Sequence, residues 1–505
     1  MTLDGPRWRI DLPPETFRAL GHELVDRLAE LMAGMAERPV SPPPVPDDIR
    51  GLLRGFALRD DGAPAGELLR AATDALTSAG SFAGHPRWWG FINGSGAPLG
   101  VLGDFLASAV NQNVSGWVIS ALAHEIEAQA IRWTAELVGY PAGGGLFVTG
   151  GNSANFIGFL AARRRRMGAA VRTDGVDPAA GWRVYASTEC HTWLQKATDM
   201  YGLGTGAVSW IPTDGEQRMD AGALREAMRR DAQAGKRPLI VIGTAGTTGT
   251  GAIDPLPAIR DACREHGAWF HVDGSYGAMA AVLAEPPPEL AALRDADSLA
   301  IDGHKWMYLP CDVACVLVRD PAVLAETFTY QPPYYSAKIQ KLEGTQSYNA
   351  LGPDNSRGFR ALKVWLTLQQ VGRSGYRALV TKDIELARLL HDLAGKHDEL
   401  EPVSQSLGIT TFRFVPRDLA TGDHEDYLRR LNIQIVLRIQ AGGRAFVSHA
   451  FCGERFVIRF CNVNFRSSAE DVAMLPELVV EIGREVDREL RGELGRELGP
   501  AITPR

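Results

Sequence analysis

One stretch of the sequence, residues 297–310, decides how the chain folds and where its chemistry is expected. It reads D-S-L-A-I-D-G-H-K-W-M-Y-L-P, a short apolar run followed by a small residue and then His304, Lys305 and Trp306. A short apolar run bounded by turn residues is typical of a buried β-strand. The stretch therefore predicts a strand that presents the amine of Lys305 at its carboxyl end.

Similar apolar runs alternate with helical patterns on both sides of this strand. Strand and helix in alternation indicate an α/β fold with a mainly parallel sheet. The predicted strands are residues 145–149, 182–187, 207–211, 239–243, 269–272, 298–301 and 313–318. We expect them to belong to one large domain that spans residues 81–380.

Small and polar residues follow several of these strands. Residues 149–152, His191, residues 247–248, Asp273 and Lys305 all lie at or just past a predicted strand end. Ligands of open α/β sheets bind beyond the carboxyl ends of the strands. The sequence therefore predicts that these residues surround one ligand site.

The N-terminal region, residues 1–80, cannot form a core alone. Apolar residues recur every three or four positions from Phe17 to Met35, which predicts a helix with one apolar face. A proline-rich connector, residues 39–46, then ends the helical pattern. We expect this arm to pack on another surface, such as a second subunit.

The C-terminal region has fewer and more amphipathic elements. Residues 411–415 and 456–460 are predicted strands, and residues 470–488 are a predicted helix. We expect a small α+β domain over residues 381–490. The Gly- and charge-rich tail, residues 491–505, is expected to fray.

Composition excludes several classes of function. The chain has 505 residues, 45% of them hydrophobic and 22% charged, and its net charge of -7 argues against nucleic-acid binding. The six cysteines show no zinc-like spacing, so no metal site is expected. No apolar run approaches the roughly 20 residues that span a bilayer. We expect a cytoplasmic protein that binds neither membrane nor nucleic acid.

Several of these motifs resemble those of a known family. Residues 150–153, residues 247–248, residues 271–273 and residues 304–306 occur in the order found in pyridoxal phosphate (PLP)-dependent amino-acid decarboxylases of the aromatic-amino-acid and glutamate decarboxylase family. The resemblance implies PLP as cofactor and fold type I, the fold of aspartate aminotransferases. It also implies a homodimer with shared active sites and an N-terminal arm wrapped on the partner.

Lys305, Asp273 and His191 carry the central chemistry that the resemblance implies. A lysine amine can form a Schiff base with the aldehyde of PLP, and a carboxylate beside the ring nitrogen keeps that nitrogen protonated. By the same resemblance, His191 stacks on the cofactor ring. Asp273 could instead cap the segment that follows its strand.

The resemblance also places the cofactor's phosphate. The glycine-rich turn before a predicted helix makes Gly151 and Asn152 the expected contacts, because amides at a helix N-terminus attract anions. Thr248 is expected to face the cofactor, although its hydroxyl could equally belong to a polar turn. Asp302 and His304 are expected to help hold the phosphate.

The substrate side is less well defined by the sequence. Trp88, Phe91 and Asn93 resemble the family segment that lines the substrate pocket, although the aromatic residues could equally be core. Tyr348 lies in a polar stretch without clear periodicity and matches the family tyrosine that protonates the substrate carbon. Ser115 stands where several animal relatives have an aromatic residue.

The resemblance implies decarboxylation of an L-amino acid to an amine and CO2. Aromatic substrates are the first expectation, because the sequence around Tyr348 best matches the aromatic branch. Glutamate or another polar amino acid is an alternative, as are an aldehyde-forming oxidative deaminase and an aminotransferase or other PLP lyase on the same fold. A non-catalytic dimeric binding protein is the alternative from a different class.

Overall fold

The computed structural model describes residues 10–41, 45–60, 62–141, 143–330, 345–422 and 424–497. None of the helices in these ranges is both long and apolar enough to cross a membrane. The same ranges contain no group of three or more His, Cys, Asp or Glu side chains that could hold a metal ion.

Helices account for much of the described chain. They are α1 (Pro14–Ala33), α2 (Pro46–Leu53), α3 (Ala65–Ala79), α4 (Pro98–Val110), α5 (Ala121–Leu137), α6 (Gly151–Met167), α7 (Trp193–Met200), α8 (Ala221–Gln233), α9 (Leu256–His266), α10 (Ala322–Phe328), α11 (Ala361–Ala394), α12 (Glu425–Ala441) and α13 (Ala469–Glu497).

The strands form two sheets. They are β1 (Trp88–Trp89), β2 (Gly144–Val148), β3 (Trp182–Ser187), β4 (Val208–Ile211), β5 (Arg237–Thr244), β6 (Trp269–Asp273), β7 (Ser298–Asp302), β8 (Ala314–Val318), β9 (Leu400–Ser406), β10 (Ile409–Phe414), β11 (Phe446–Cys452) and β12 (Arg455–Cys461).

The large domain is organised around a seven-stranded sheet in the order β2-β8-β7-β6-β5-β3-β4. The β4, β3, β5, β6 and β7 strands are parallel to one another, whereas β8 runs antiparallel to β7 and to β2. Strands β6, β7 and β8 are buried along their whole length, as expected for strands covered on both faces. Every predicted strand of this sheet is present, and the α/β class with a mainly parallel sheet is confirmed.

The small domain contains a five-stranded sheet in the order β1-β11-β12-β10-β9. Helices α12 and α13 contribute apolar side chains to a second core beneath this sheet. Strands β9 and β11 were not predicted, and β1 joins the small sheet although it lies far away in sequence. Helix α13 continues beyond the predicted end at residue 488, where Arg491 forms ion pairs with Asp418 and Asp487. The helix therefore includes the first residues of the predicted tail, whereas residues 498–505 lie outside the described residues, and the expectation for the tail stays a prediction.

Helix α11 connects the two domains. Its side chains Tyr376 and Val380 belong to the core of the large domain, whereas Leu386 and Leu390 belong to the core of the small domain. The predicted boundary at residue 380 lies inside this helix and stays a prediction. Helix α11 is kinked at Gly372, which has a φ of 64°, and its second part, residues 373–394, is shared by the two cores and ties the positions of the domains together.

The N-terminal arm begins with α1, which confirms the predicted amphipathic helix. Helix α1 pairs with α3 through ion pairs that include Arg70 with Glu23. No residue of α1 is buried, and Phe17 is 53% exposed. The apolar face of the arm is therefore left largely uncovered within one chain.

Candidate active site

The turn that carries Lys305 follows directly from strand β7. The strand ends at Asp302, and the turn is closed by hydrogen bonds from Lys305 N to Asp302 O (3.2 Å) and from Tyr308 N to Lys305 O (3.0 Å). The next residue, Trp306, is fully buried and anchors the turn in the core. Lys305 remains on the wall of a cavity, with its Nζ 3.8 Å from Asp302 Oδ2.

This cavity, called here the cofactor cavity, has a volume of about 380 Å³. It lies beyond the carboxyl ends of strands β5, β6 and β7, where the topology of the sheet predicts a ligand site. All the residues predicted to contact the cofactor line it. They are Gly151, Asn152, His191, Thr248, Asp273, Asp302, His304 and Lys305.

Asp273 is a buried carboxylate at the end of β6. It accepts hydrogen bonds from Trp193 Nε1 (2.8 Å) and from Ser275 N (3.1 Å). Burial alone would raise the pKa of Asp273, but the nearby Lys305 ammonium and the hydrogen bond from Ser275 N hold this pKa below its ordinary value. Asp273 is therefore a fixed negative charge that can hold a proton on a ligand nitrogen.

Two histidines near this carboxylate have different surroundings. His191 lines the cofactor cavity, and the protein around it partly desolvates the ring and lowers the pKa of His191. His271, on β6, is fully buried and contacts Ser298 Oγ and Asn155 Oδ1, each at 2.8 Å. Burial lowers the pKa of His271 to about 4. His271 is thus a neutral framework residue, whereas His191 is available to a ligand.

The Gly151 side of the cavity is suited to an anion. Helix α6 begins at Gly151, where a Cβ would approach Asp302 Oδ2 and Ser275 Oγ to 2.9 Å each. The hydroxyls of Ser275 and Thr244 are buried in the cavity wall, and neither has a hydrogen-bond partner among the described residues. Unpaired buried hydroxyls at a helix N-terminus fit an anionic ligand group that accepts hydrogen bonds.

These features fit pyridoxal phosphate. The cofactor needs an amine for its aldehyde, a carboxylate for its ring nitrogen and donors for its phosphate. Lys305, Asp273 and the Gly151 end of α6 supply these three partners around one cavity. Ser275, Asn155 and Tyr276 also line the cavity, although they were not among the predicted site residues.

A second and larger cavity of about 1000 Å³ opens beside the first and is called here the substrate cavity. Both cavities share Ile92, His191, Thr248 and Lys305. The rest of the wall is mainly apolar. Its apolar and aromatic members are Phe91, Ile433, Val436, Leu437, Ala450, Phe451 and Phe456.

Arg459, on strand β12, is the buried cation of the substrate cavity. Its Nε donates to Gly249 O (3.2 Å), and one terminal nitrogen donates to Phe91 O (3.1 Å) and Ser448 Oγ (3.0 Å). The other terminal nitrogen is buried and has no partner among the described residues. Sequence reasoning missed Arg459, although an arginine inside the apolar strand pattern at residues 456–460 was a signal for it.

The predicted substrate residues do not all reach this cavity. Phe91 lines it, whereas Trp88 and Asn93 are not part of its wall among the described residues. The Trp88 ring stacks on Phe446 with a centroid distance of 4.2 Å, and its Nε1 donates to Asn93 Oδ1 at 3.0 Å. Trp88 therefore serves the packing of β1 on the small sheet.

Tyr348 is buried within its own chain. Its ring stacks on His124 at a centroid distance of 5.1 Å and lies under the guanidinium of Arg357 at 4.8 Å. Among the described residues, Tyr348 belongs to the wall of neither cavity. Most of the polar stretch that precedes Tyr348, residues 331–344, lies outside the described residues.

A cleft of about 1100 Å³ near Arg218, Arg388 and Arg455 is larger still. It contains none of the residues predicted to bind the cofactor. Size alone therefore does not identify the reactive site, because the amine, the carboxylate and the unpaired hydroxyls converge on the smaller cofactor cavity.

Comparison with known proteins agrees with this geometry. Residues 56–415 match the pyridoxal-dependent decarboxylase conserved domain. The chain is 33% identical to an aromatic-L-amino-acid decarboxylase of Bacillus atrophaeus over 92% of this chain and 95% of that protein. It is 27% identical to a phenylacetaldehyde synthase of a Rosa hybrid cultivar, with 89% and 90% covered.

Solved structures agree with the sequence relatives. The crystal structure of Oryza sativa TDC with PLP and tryptamine superposes with a TM-score of 0.88 at 26% identity, covering 94% of this chain and 99% of that one. The fold, the matched domain and the cofactor cavity agree. The chain belongs to the pyridoxal-dependent decarboxylase family, as a fold type I, PLP-dependent amino-acid decarboxylase.

Proposed function

We propose that this enzyme converts aromatic L-amino acids to their amines and CO2, with Lys305 as the lysine that holds the cofactor. The observation that carries the proposal is the unpaired, buried guanidinium nitrogen of Arg459 in an apolar cavity that opens onto Lys305. An amino acid brings a carboxylate for the guanidinium and a side chain for the apolar wall. Charge-assisted pairing of this kind is strong in a desolvated site.

The apolar wall favours aromatic side chains. Phe91, Phe451 and Phe456 supply rings, and Val436 and Leu437 supply aliphatic surface. Aromatic ligands gain from burial and from ring–ring contact, whereas a glutamate side chain would need a second cation. The similarity to proteins named aromatic-L-amino-acid and tyrosine decarboxylases supports the same substrate class.

Lys305 and Asp273 are proposed to perform the central steps. Bound PLP supplies an electron-accepting ring that takes up the electron pair left when CO2 departs. The carboxylate of Asp273 holds a proton on the ring nitrogen, which the pKa of Asp273, held low beside Lys305, favours. Lys305 Nζ provides the amine that retains the cofactor between turnovers and moves protons near the substrate nitrogen.

The remaining polar residues are proposed to bind and orient. Gly151 and Asn152 at the start of α6, together with Thr248 and His304, would hold the phosphate, and Asp302 would position this end of α6 by accepting a hydrogen bond from Gly151 N (3.2 Å). His191 would cover the face of the ring, since it lines both cavities. Each of these roles needs only a contact that the cavity wall already offers.

Tyr348 is proposed to protonate the substrate carbon in the active site of a partner subunit. Its segment hydrogen-bonds to the segment around Ser115, from Asn349 N to Ser115 O (3.1 Å) and from Trp117 N to Ser347 Oγ (3.3 Å). The family resemblance assigns the segment around Ser115 to the pocket of the neighbouring subunit. Because the two segments are hydrogen-bonded to each other, both would lie at the pocket of the neighbouring subunit.

A homodimer is part of this proposal. Apolar side chains of α4 and of the following segment are about half exposed or more in the single chain. They are Leu102, Phe105, Leu106, Val110, Val118, Ile119 and Leu122. A continuous apolar surface of this kind is typical of a subunit interface.

Aldehyde formation is a second candidate function. The similarity to a phenylacetaldehyde synthase favours it, because the two activities occur on related chains. Tyr348 is the residue that discriminates, since the family resemblance associates tyrosine at this place with decarboxylation and phenylalanine with the aldehyde-forming route. The presence of Tyr348 supports the amine as product.

The test is a product analysis of the purified, PLP-loaded enzyme. We would supply tryptophan, tyrosine, phenylalanine, dihydroxyphenylalanine, histidine and glutamate in turn, and measure CO2, amine, aldehyde and peroxide. Equal amounts of amine and CO2 from an aromatic amino acid are expected. Aldehyde with peroxide would establish the second candidate instead, and turnover of glutamate alone would overturn the aromatic assignment.

A further inference from the structure

A buried carboxylate lies behind the Lys305 turn, on the side away from the cofactor cavity. Asp383, on helix α11, is fully buried. Its Oδ2 accepts hydrogen bonds from Trp306 Nε1 (2.8 Å) and Tyr308 Oη (2.5 Å), both in the Lys305 turn. Its Oδ1 accepts one from Asn462 Nδ2 (2.7 Å), just after β12 of the small domain. One side chain thus joins the connecting helix, the lysine turn and the small domain.

The turn that Asp383 holds is a strained one. Tyr308 has a φ of 54°, in the left-handed region that residues with a Cβ rarely adopt. Such a conformation persists only where the surroundings over-determine it. The hydrogen bond from the Tyr308 hydroxyl to Asp383 is part of that restraint, three residues from Lys305.

A second series of contacts connects Trp306 with the cofactor cavity. The Trp306 ring stacks on Tyr276 with a centroid distance of 4.6 Å, and Tyr276 lines the cofactor cavity. The Tyr276 hydroxyl accepts a hydrogen bond from Gly408 N (2.9 Å) of the small domain. A movement of the small domain would therefore shift both Lys305 and Tyr276 in the wall of the cofactor cavity.

Stability alone does not account for this carboxylate. Asp383 forms no ion pair among the described residues, and its burial raises the pKa of Asp383 to about 7. A buried charge without a cation is costly, and an apolar side chain of similar size is often more stabilising at such a site. An apolar side chain at this position could not accept the hydrogen bonds from Trp306, Tyr308 and Asn462.

We propose that Asp383 is a positioning residue that holds the Lys305 turn in its reactive place and couples that place to the small domain. The inference rests on the proposed role of Lys305. It adds a residue that touches neither cofactor nor substrate and acts through Trp306 and Tyr308. Displacement of a reacting group by about 1 Å can cost of the order of a hundredfold in rate.

The main test compares Tyr308→Phe with a matched control, Tyr185→Phe. Each substitution removes one hydroxyl from a fully buried tyrosine, and Tyr185 donates to Asp231 Oδ2 (2.9 Å) outside both cavities. Melting temperature, the dissociation constant of PLP, kcat and KM would be measured for both. We expect similar losses of melting temperature, but a kcat lowered about tenfold or more and weaker PLP binding only in Tyr308→Phe. Equal kcat and PLP affinity in the two variants would overturn the proposal.

Two substitutions of Asp383 sharpen the test. In Asp383→Asn the remaining oxygen can still accept from Trp306 and Tyr308. The new amide faces Asn462 Nδ2, so it can donate to Asn462 Oδ1 only after the Asn462 amide turns over, and that oxygen has no partner among the described residues. We expect kcat within about threefold of wild type for Asp383→Asn, and a loss of at least tenfold for Asp383→Leu, because rescue depends on hydrogen bonding. A fully active Asp383→Leu enzyme, or an Asp383→Asn enzyme as slow as Asp383→Leu, would overturn the proposal.

Failure of this inference is distinguishable from failure of the proposed function. Borohydride reduction of the PLP-loaded enzyme followed by peptide mapping reports which lysine holds the cofactor, independently of turnover. If Lys305 carries the label and Tyr308→Phe behaves like Tyr185→Phe, only the role of Asp383 is wrong. If another lysine carries the label, the assignment of Lys305 fails first.

Discussion

The two cavities that meet at Lys305 are built in different ways. The cofactor cavity, of about 380 Å³, is walled by polar groups at the ends of neighbouring strands of one sheet. The substrate cavity, of about 1000 Å³, is walled mostly by apolar side chains from the small domain and from the segment around Phe91. The groups proposed for the chemistry therefore come from the large domain, whereas selection of the substrate depends on how the small domain and the segment around Phe91 shape the substrate cavity.

The most severe test of this division is Lys305→Ala. Removal of the amine should lower kcat by roughly 10⁴-fold or more, as loss of a central catalytic group does elsewhere. Folding should be almost unaffected, because the single ion pair that Lys305 forms among the described residues is at 3.8 Å to Asp302. Steady-state kinetics and thermal melting would measure both. The exposed Lys236 provides the control Lys236→Ala, and comparable activity in the two variants would contradict the assignment.

Asp273→Asn is expected to have the next largest effect. The amide can keep a hydrogen bond from Trp193, but it removes the negative charge that holds a proton on the ring nitrogen. We expect kcat to fall about a thousandfold, within the range of proton-transfer groups. The absorbance spectrum of the bound cofactor and single-turnover kinetics would check the result.

A half-buried carboxylate just before the start of strand β7 provides the control. Asp297 accepts a hydrogen bond from Phe270 N (2.8 Å) and lines neither cavity. Asp297→Asn should lower the melting temperature but keep kcat. If the two substitutions slowed the enzyme equally, Asp273 would be a capping residue, which is the alternative that its sequence position also allows.

The polar cavity was largely predictable from the sequence, and the reason is geometric. Parallel strands end at one edge of a sheet, so residues that follow apolar runs, such as Asp273 and Lys305, must converge there. Asn155 lies inside α6 and gave no such signal. Ser275 and Tyr276 lie in the turn that follows β6, past the strand end, but were not among the predicted site residues. The wall of the cofactor cavity therefore includes residues that the sequence did not predict.

The substrate side was predicted less well, because its parts come from distant segments. The two-residue strand β1 pairs with β11 across more than 350 residues, from Trp88 to Phe446, and no local pattern reports such a pairing. Strand β9 contains Pro402 and alternates little, since most of it is only half-buried. The polar stretch around Tyr348 has no clear periodicity and therefore did not indicate that the structure buries Tyr348 against Arg357.

Arg459→Met probes the substrate cavity and is expected to have a smaller effect than loss of Asp273. It removes the guanidinium proposed to bind the substrate carboxylate, and kcat/KM should fall about a hundredfold, mostly through KM. Arg413→Met is the control, because Arg413 is also buried in the small sheet but already pairs with Glu401 and Glu425. Initial-rate kinetics would separate them. An unchanged KM in Arg459→Met would place the carboxylate elsewhere.

The smallest effect concerns stability and tests the burial of His271. His271 is buried behind the cofactor cavity, and burial lowers its pKa from 6.5 to about 4. The unfolded chain therefore takes up a proton before the folded chain does, so the stability that neutral His271 contributes is fully present above about pH 6.5 and is lost as the pH falls towards 4. Between pH 6.5 and 5 this loss amounts to roughly 2 kcal/mol.

Urea unfolding at several pH values should show a shallower loss of stability in His271→Gln than in wild type. The exposed His449 of the substrate cavity provides the control, and a His271→Gln curve parallel to those of wild type and His449→Gln would contradict the burial of a neutral His271.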